Sequence, residues 1–299
     1  MSDQPKVMQL GGVSWNTMVY LERWPESPQG SGPASGWQQA LGSTGAGKAL
    51  NLQRLGFEVH LHSLLGSDSA AKQICDQLLQ AGIHCHWQQY RGASEQHLNL
   101  MLPGGERRSI FLEQEPDFGE VDIASLAPVW AACDYHWVNI KPYCRRLLPA
   151  LQAFGKPIWC DLHDYDSGNP YHQPFIDAAD YLMASAENLA DCDRFMQQQI
   201  EAGKRLVIVT DGGAGLRAMD AQGQRYHVEP APGIELVDSN GAGDAFSAGL
   251  LWGWHQRRPL LECLQLGACA GALCVTSRSL ASEQLDIETL RDWHRRYYA

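Results

Sequence analysis

The chain has 299 residues, of which 44% are hydrophobic and 19% charged. That supplies material for a large core and excludes a disordered chain, a collagen and a small disulfide scaffold. The 23 basic side chains face 34 acidic ones, a net charge of −11 with histidine neutral, which excludes a uniformly basic nucleic-acid or anionic-membrane binder. At about 150 residues per domain the length suits two units, although α/β folds hold it as one; the reading here is one chain-length unit, 1–299. The nine cysteines (Cys75, Cys85, Cys133, Cys144, Cys160, Cys192, Cys263, Cys269 and Cys274) include no CxxC pair, so no zinc ribbon or thioredoxin-type site is indicated. Their odd number and apolar settings point to a reducing, cytoplasmic interior. Residues 1–10 lack a signal-length apolar stretch, and no uncharged apolar run reaches the roughly 18 residues of a membrane span.

In chain order, Val7 to Val13 is an apolar run that ends at Gly11-Gly12 and reads as a first strand. Trp24 to Gly36, rich in Pro, Ser and Gly, reads as loop, and Gly42 to Gly47 as a glycine-rich turn. Ala49 to Leu55 has helical spacing and stops at Gly56. Val59 to Leu65 alternates like a strand, and Ala70 to Ala81 is an amphipathic helix stopped by Gly82. His97–Leu102 and Ser109–Leu112 flank the turn Pro103-Gly104-Gly105-Glu106 and form a hairpin by pattern. Tyr135–Ile140, Pro157–Asp161, Tyr181–Ala184 and Leu206–Thr210 are runs of buried-strand length separated by helix-compatible sequence. Such alternation predicts a mostly parallel α/β sheet covered on both faces. Ala245–His255, Leu261–Thr276 and Ile287–Tyr297 are helical by pattern.

The strongest local signal is Asp238-Ser239-Asn240-Gly241-Ala242-Gly243-Asp244-Ala245-Phe246, where a glycine turn opens a helix. Glycines let the backbone turn tightly and expose several N–H groups on one side, and the helix N-terminus adds about half a positive charge. The result is an anion pocket suited to a phosphate in transit. Asp244, in the first turn, stands where a carboxylate can accept a proton from an attacking hydroxyl.

This string, followed by Gly249, resembles the C-terminal signature Asp-Thr-x-Gly-Ala-Gly-Asp-x-Phe-x-x-Gly of the ribokinase-like (PfkB-type) carbohydrate kinases. Other motifs extend the resemblance over nearly the whole chain. Gly42-Ser43-Thr44-Gly45-Ala46-Gly47-Lys48-Ala49-Leu50-Asn51 is similar to Gly-Gly-x-Gly-x-Asn-x-Ala, Gly66-Ser67-Asp68 to a Gly-x-Asp turn, Gly105-Glu106-Arg107 to a Gly-Glu-Arg turn of the lid, and Thr210-Asp211-Gly212-Gly213-Ala214-Gly215 to Thr-x-Gly-x-x-Gly. The resemblance implies a three-layer α/β/α domain with a small β-sheet lid from roughly 13–42 and 95–115. It implies an ATP-dependent kinase acting on a hydroxyl of a sugar or sugar-like molecule. Asp244 would be the catalytic base, with Gly241, Ala242 and Gly243 as the anion hole. Asn16, Gly42, Ser43 and Lys48 would meet the sugar, with Lys48 directed to solvent or to a substrate anion. Ser185, Glu187, Thr210, Gly212, Gly215 and Asn240 would meet ATP, Glu187 would serve Mg2+, and Asp238 a monovalent cation such as K+. A homodimer joined through the lid edge is expected, with no nucleic-acid or membrane partner. A nucleoside kinase of the same fold and a non-catalytic sugar or nucleotide sensor are the alternatives.

Three departures stand out. Asn16 occurs where the family has a sugar-gripping Asp, and Gly47 where it has an Asn. The family's Asn-x-x-Glu falls on Ser185-Ala186-Glu187-Asn188, with neither end matching. Gly42 to Ala49 nearly spells a P-loop, but Ala49 has no hydroxyl for magnesium and residues 36–41 make a poor buried strand. Asp161, His163, Asp164 and Asp166 read either as a metal cluster or as a polar strand end.

Overall fold

A computed structural model describes residues 4–25, 31–116 and 121–299. The first apolar run is β1 (Lys6–Leu10). The chain then forms an antiparallel hairpin of β2 (Ser14–Tyr20) and β3 (Gly36–Gly42). Residues 26–30, within the expected loop and the 13–42 segment, lie outside the described residues. Next come α1 (Thr44–Arg54), β4 (Glu58–Leu65), α2 (Ser69–Gln80) and β5 (His84–Gln89). A second hairpin, β6 (Gln96–Met101) and β7 (Arg107–Glu113), closes at the Pro103–Glu106 turn. Strand and helix then alternate through α3 (Ile123–Ala132), β8 (Tyr135–Asn139), α4 (Pro142–Ala153), β9 (Ile158–Asp161), α5 (Gln173–Ala178), β10 (Tyr181–Ser185), α6 (Cys192–Glu201) and β11 (Leu206–Thr210). Two short strands, β12 (Leu216–Asp220) and β13 (Arg225–Val228), precede α7 (Ala242–His255), α8 (Leu260–Cys274) and α9 (Ile287–Tyr298).

The large sheet runs β13-β12-β11-β10-β9-β8-β1-β4-β5, and the small one β3-β2-β6-β7. All large-sheet pairings are parallel except β11–β12 and β12–β13. Successive side chains of a strand point to opposite faces, and here they enter two separate cores. Val7, Trp137, Trp159 and Ile208 join the cluster under α1, α2, α7 and α8. Their neighbours Met8, Val138, Cys160 and Val207 join the cluster under α3 to α6. The result is three layers, with the small sheet set beside them. Trp137 and Trp159 stack at 5.3 Å, and each is 1% exposed. Truncating either to Ala removes about 3–5 kcal/mol of burial and packing.

Two helices begin earlier than periodicity indicates. The expected turn Gly42–Gly47 is already helical from Thr44. Its first turn lies on the β1 exit, where a Cβ on Gly45 would sit 2.4 Å from the Gly12 carbonyl oxygen. Likewise α7 starts at Ala242 rather than Ala245. Beside β1 the chain order reverses, with β4 on one side and β8 on the other. Ligands of open α/β sheets bind beyond the carboxyl ends of the strands at such a switch point.

Candidate active site

Gly241 caps α7 at φ +84°, and a Cβ there would lie 2.4 Å from the Leu280 carbonyl oxygen, so only glycine fits. The turn brings Gly243 and Asp244 to the floor of a 390 Å³ cleft beyond the ends of β8 and β9. A Cβ on Gly243 would meet nothing within 4 Å, so that position opens onto free space. The Ala242 amide donates to the Ser239 carbonyl at 3.3 Å. The small sheet forms the opposite wall with Asn16, His97, Asn99, Arg107, Ser109 and Phe111.

Asp244 is 5% exposed. Its Oδ1 accepts from Lys48 Nζ at 2.7 Å, and the same ammonium donates to Asp161 Oδ2 at 2.9 Å. This corrects the expectation for Lys48, which faces neither solvent nor the cleft: it is 1% exposed, beneath the floor and 5.7 Å from the Trp137 ring centre. The helix turns its side chain inward, toward two carboxylates that stand 113 and 196 residues away in sequence. Asp161 does not join a metal cluster. No group of three potential metal ligands occurs among the described residues. Instead its Oδ1 accepts from the His163 amide at 3.0 Å, and its Oδ2 lies 3.5 Å from the His163 ring.

The two carboxylates have different proton affinities. Burial pushes Asp244 above the usual carboxylate range, only partly offset by Lys48. Burial also raises Asp161, but His163 and Lys48 outweigh it and hold that carboxyl well below its ordinary value. Burial disfavours the Lys48 charge, yet Asp161 and Asp244 keep it protonated, above its ordinary range. Divergent proton affinities in one site separate a group that stays charged from one able to take a proton.

Asn16 and Ser43 line the cleft, whereas Gly42 lies behind Asn16: a Cβ there would meet the Asn16 amide nitrogen at 2.0 Å. Ser43 adopts φ +70°, ψ 151°, a region favourable only to glycine, at the position of the second glycine in the Gly-Gly-x-Gly pattern. The Asn16 Oδ1 accepts from the His97 amide at 3.2 Å. Carboxylates reach the cleft from Glu95 and Asp161 instead of from position 16. Glu95 is paired with Lys141 and, at 2.9 Å, with the His97 ring. Burial raises Glu95, and His97 and Lys141 outweigh it, so it remains below its usual value.

The Gly105-Glu106-Arg107 turn meets the glycine loop directly. Arg107 donates to Asn240 Oδ1 at 2.6 Å, and Ser239 Oγ to the Gly105 carbonyl at 2.9 Å. Asp238 is 1% exposed; its Oδ1 accepts from the Asn240 amide at 2.8 Å. Its buried Oδ2 has no hydrogen-bond partner among the described residues. Ser185, Glu187, Thr210, Gly212 and Gly215 fall outside the cleft lining, at the adjoining ends of β10 and β11, where Ser185 and Thr210 are register partners. Gly215 has φ +86°, and a Cβ would strike the Val228 carbonyl oxygen at 2.2 Å. Glu95, His97, Asn99 and Lys141 carry no sequence motif that marks them as site residues. Asp161 stands out in sequence only as part of a possible metal set or a polar strand end, and Arg107 through its turn motif.

Residues 177–287 match the family described as pfkB family carbohydrate kinase. The chain is 29% identical over 291 residues to acarbose 7(IV)-phosphotransferase of Actinoplanes sp., covering 96% of this chain and 97% of that one. It is 23% identical over 297 residues to a ribokinase of Arabidopsis thaliana, covering 91% and 76%. A microbiome-derived acarbose kinase superposes at TM-score 0.89 with 27% identity, over 98% of this chain and 100% of that one. Ribokinase from Giardia lamblia superposes at TM-score 0.84 over 98% and 100%, and at 14% identity it shows the fold alone. The fold is ribokinase-like, and residues 177–287 carry the match to the pfkB family of carbohydrate kinases. The chain is an enzyme that phosphorylates an alcohol group, and the family implies ATP as donor.

Proposed function

We propose that the enzyme transfers the γ-phosphoryl group of ATP to one hydroxyl of a sugar or sugar-like molecule, with Asp244 as general base and the 241–243 amides as anion hole. The observation that carries this reading is the Asp244 carboxylate on the cleft floor beside the open side of Gly243. The acceptor lies between the small sheet and Asp244, with Asn16, Asn99, Asn139 and Ser43 supplying amide and hydroxyl partners for its other hydroxyls. Asp244 removes the proton as the oxygen attacks phosphorus. The bond to the ADP oxygen breaks, and the 241–243 amides, that of Ala242 after turning from the Ser239 carbonyl, stabilise the charge on the migrating group. Ser185, Thr210, Gly212 and Gly215 would hold the nucleotide along the ends of β10 and β11, with Asn240 reaching it from the glycine loop before α7. Closure of the small sheet would exclude water, the competing acceptor.

Magnesium bound with ATP would neutralise phosphate charge. Glu187, exposed at the β10 end, is the carboxylate we assign to it, reaching through water. The partnerless Asp238 Oδ2 fits a monovalent cation, since a buried carboxylate oxygen is costly without a counter-charge. The exposed edge strand β7, with Ile110, Phe111 and Leu112, would pair two copies in a homodimer, which sedimentation would detect. The nine free thiols fit a reducing cytoplasm.

ATP consumption across a panel of monosaccharides, acarbose-like pseudo-oligosaccharides and nucleosides tests the acceptor. Turnover of a sugar-like compound at about 1 per second, an ordinary kinase rate, is expected. Turnover of nucleosides alone would replace this reading with a nucleoside kinase. Asp244→Asn should bind ATP as before and lose at least about 100-fold in kcat.

A further inference from the structure

We propose that Lys48, braced by Asp161, is the positioning residue for Asp244: it fixes the direction of that carboxylate and keeps it charged until the acceptor hydroxyl gives up its proton. The proposal rests on Asp244 being the base and adds the device that holds it ready.

The geometry is specific. A buried ammonium is stable only when well paired, and Lys48 is held between two carboxylate oxygens at 2.9 and 2.7 Å. Asp161 cannot swing away freely, because its other oxygen accepts from the His163 amide. The neighbouring Gly47 supplies the space: a Cβ there would lie 2.1 Å from Asp244 Oδ2. Two consecutive residues of α1 thus form a seat, one by having no side chain and the next by supplying charge. This gives a physical reason for the absence of Asn at position 47.

The charge balance suits a base. Lys48, Asp161 and Asp244 carry a net −1 before transfer. When the acceptor proton reaches Asp244, Lys48 keeps its own protons and remains paired with Asp161, and the cluster becomes neutral. The other charged or titratable groups around Asp244 are His163 after β9, Asp238 on its own loop, Cys274 of α8, and Lys141, Glu95 and Arg107 in the cleft walls. Neither test substitution replaces any of these, though Asp161→Asn withdraws the negative charge facing the His163 ring.

Two substitutions should move the Asp244 titration in opposite directions. Lys48→Met removes the cation and leaves two buried carboxylates facing each other, so Asp244 should hold its proton more tightly. The acid limb of kcat should rise by about one pH unit or more, a tenfold change in proton affinity. Asp161→Asn keeps the shape but frees Lys48 to serve Asp244 alone, so the limb should move down. Carbon-13 titration of the Asp244 carboxyl, assigned by its loss in Asp244→Asn, reads the same shifts without turnover. Asp161→Asn keeps the test open should Lys48→Met not fold. A purely structural role for Lys48 would lower activity without opposite shifts. Titrations that coincide with wild type, or move in the same direction in both variants, would overturn the proposal. If Asp244→Asn were itself fully active, the assignment of the base would fail instead.

Discussion

Gly47→Ala is a small change with a sharp expected consequence. Gly47 lies within α1 with helical backbone, so alanine itself should stabilise the helix by about 0.5–1 kcal/mol. Its Cβ, however, would stand 2.1 Å from Asp244 Oδ2 and 2.9 Å from Cγ. Ordinary contact begins near 3.4 Å, so the carboxylate must retreat by about 1.3 Å, the difference between those distances. The clashing atoms belong to a side chain whose Oδ1 is held by buried Lys48 at 2.7 Å and whose Cβ would stand 3.2 Å from the new methyl, so yielding also loosens that buried ion pair. The base cannot move without leaving its place beside the acceptor, and a misplacement of about 1 Å costs on the order of 100-fold in rate. The variant should therefore bind ATP normally and melt somewhat below wild type, with kcat lowered about 100-fold. ADP release under saturating substrates, with calorimetric ATP binding and thermal melting, makes the comparison. A soluble, normally melting Gly47→Ala with wild-type kcat would refute the placement of Asp244.

Ser43→Gly should relieve a left-handed backbone strain of about 1–3 kcal/mol, less about 0.5–1 kcal/mol for the freer unfolded chain, for a net gain of about 1 kcal/mol in denaturant unfolding. The lost hydroxyl should raise KM for the acceptor and leave KM for ATP unchanged. Stability should also fall in mild acid. Burial, with a smaller effect of His86, lowers His62 from 6.5 to about 4. Below pH 6.5 the unfolded chain binds a proton that the folded one refuses, so stability is full above 6.5 and declines as pH falls toward 4, by about 3 kcal/mol. Melting curves of wild type and His62→Asn across that window should converge at the acid end; parallel curves would count against it. Replacing sodium by potassium should stimulate turnover severalfold in wild type and leave Asp238→Ala unaffected, as initial rates at constant ionic strength would reveal.

What could be read from the sequence was what depends on neighbouring residues. The apolar runs of β8 and β9 and the Gly241–Asp244 turn are local, and both mark the right end of the sheet. The strand 36–42 is half exposed in the small sheet, in keeping with the poor buried-strand pattern that argued against a P-loop. The starts of α1 and α7 were misjudged because Gly45, Gly47 and Gly243 are poor helix formers in isolation. Those glycines are held helical by tertiary contact or left bare for function. The β12–β13 pair was missed because Arg217, Arg225 and His227 interrupt any apolar run. Lys48 was misjudged most, since a lysine's burial depends on partners that no local window contains.

The same long-range pairing explains the absence of a charged residue at position 16. Asp161 is occupied by Lys48, and Glu95 by Lys141 and His97. Each carboxylate facing the cleft, Asp244 included, already has a cation against it. Lys48 is shared between Asp161 and Asp244, so that cluster keeps one net negative charge, which the acceptor proton would cancel in the proposed transfer. An acidic side chain at position 16 would add an uncompensated charge to a buried wall, whereas Asn16 keeps a donor and an acceptor there and uses the acceptor to hold the His97 amide. Arg107 is different: it is bonded to the neutral Asn240 amide beside the glycine turn. Its guanidinium also lies near enough to the buried Asp238 carboxylate to favour its charged form, at the end of the cleft to which the proposed function assigns the γ-phosphate.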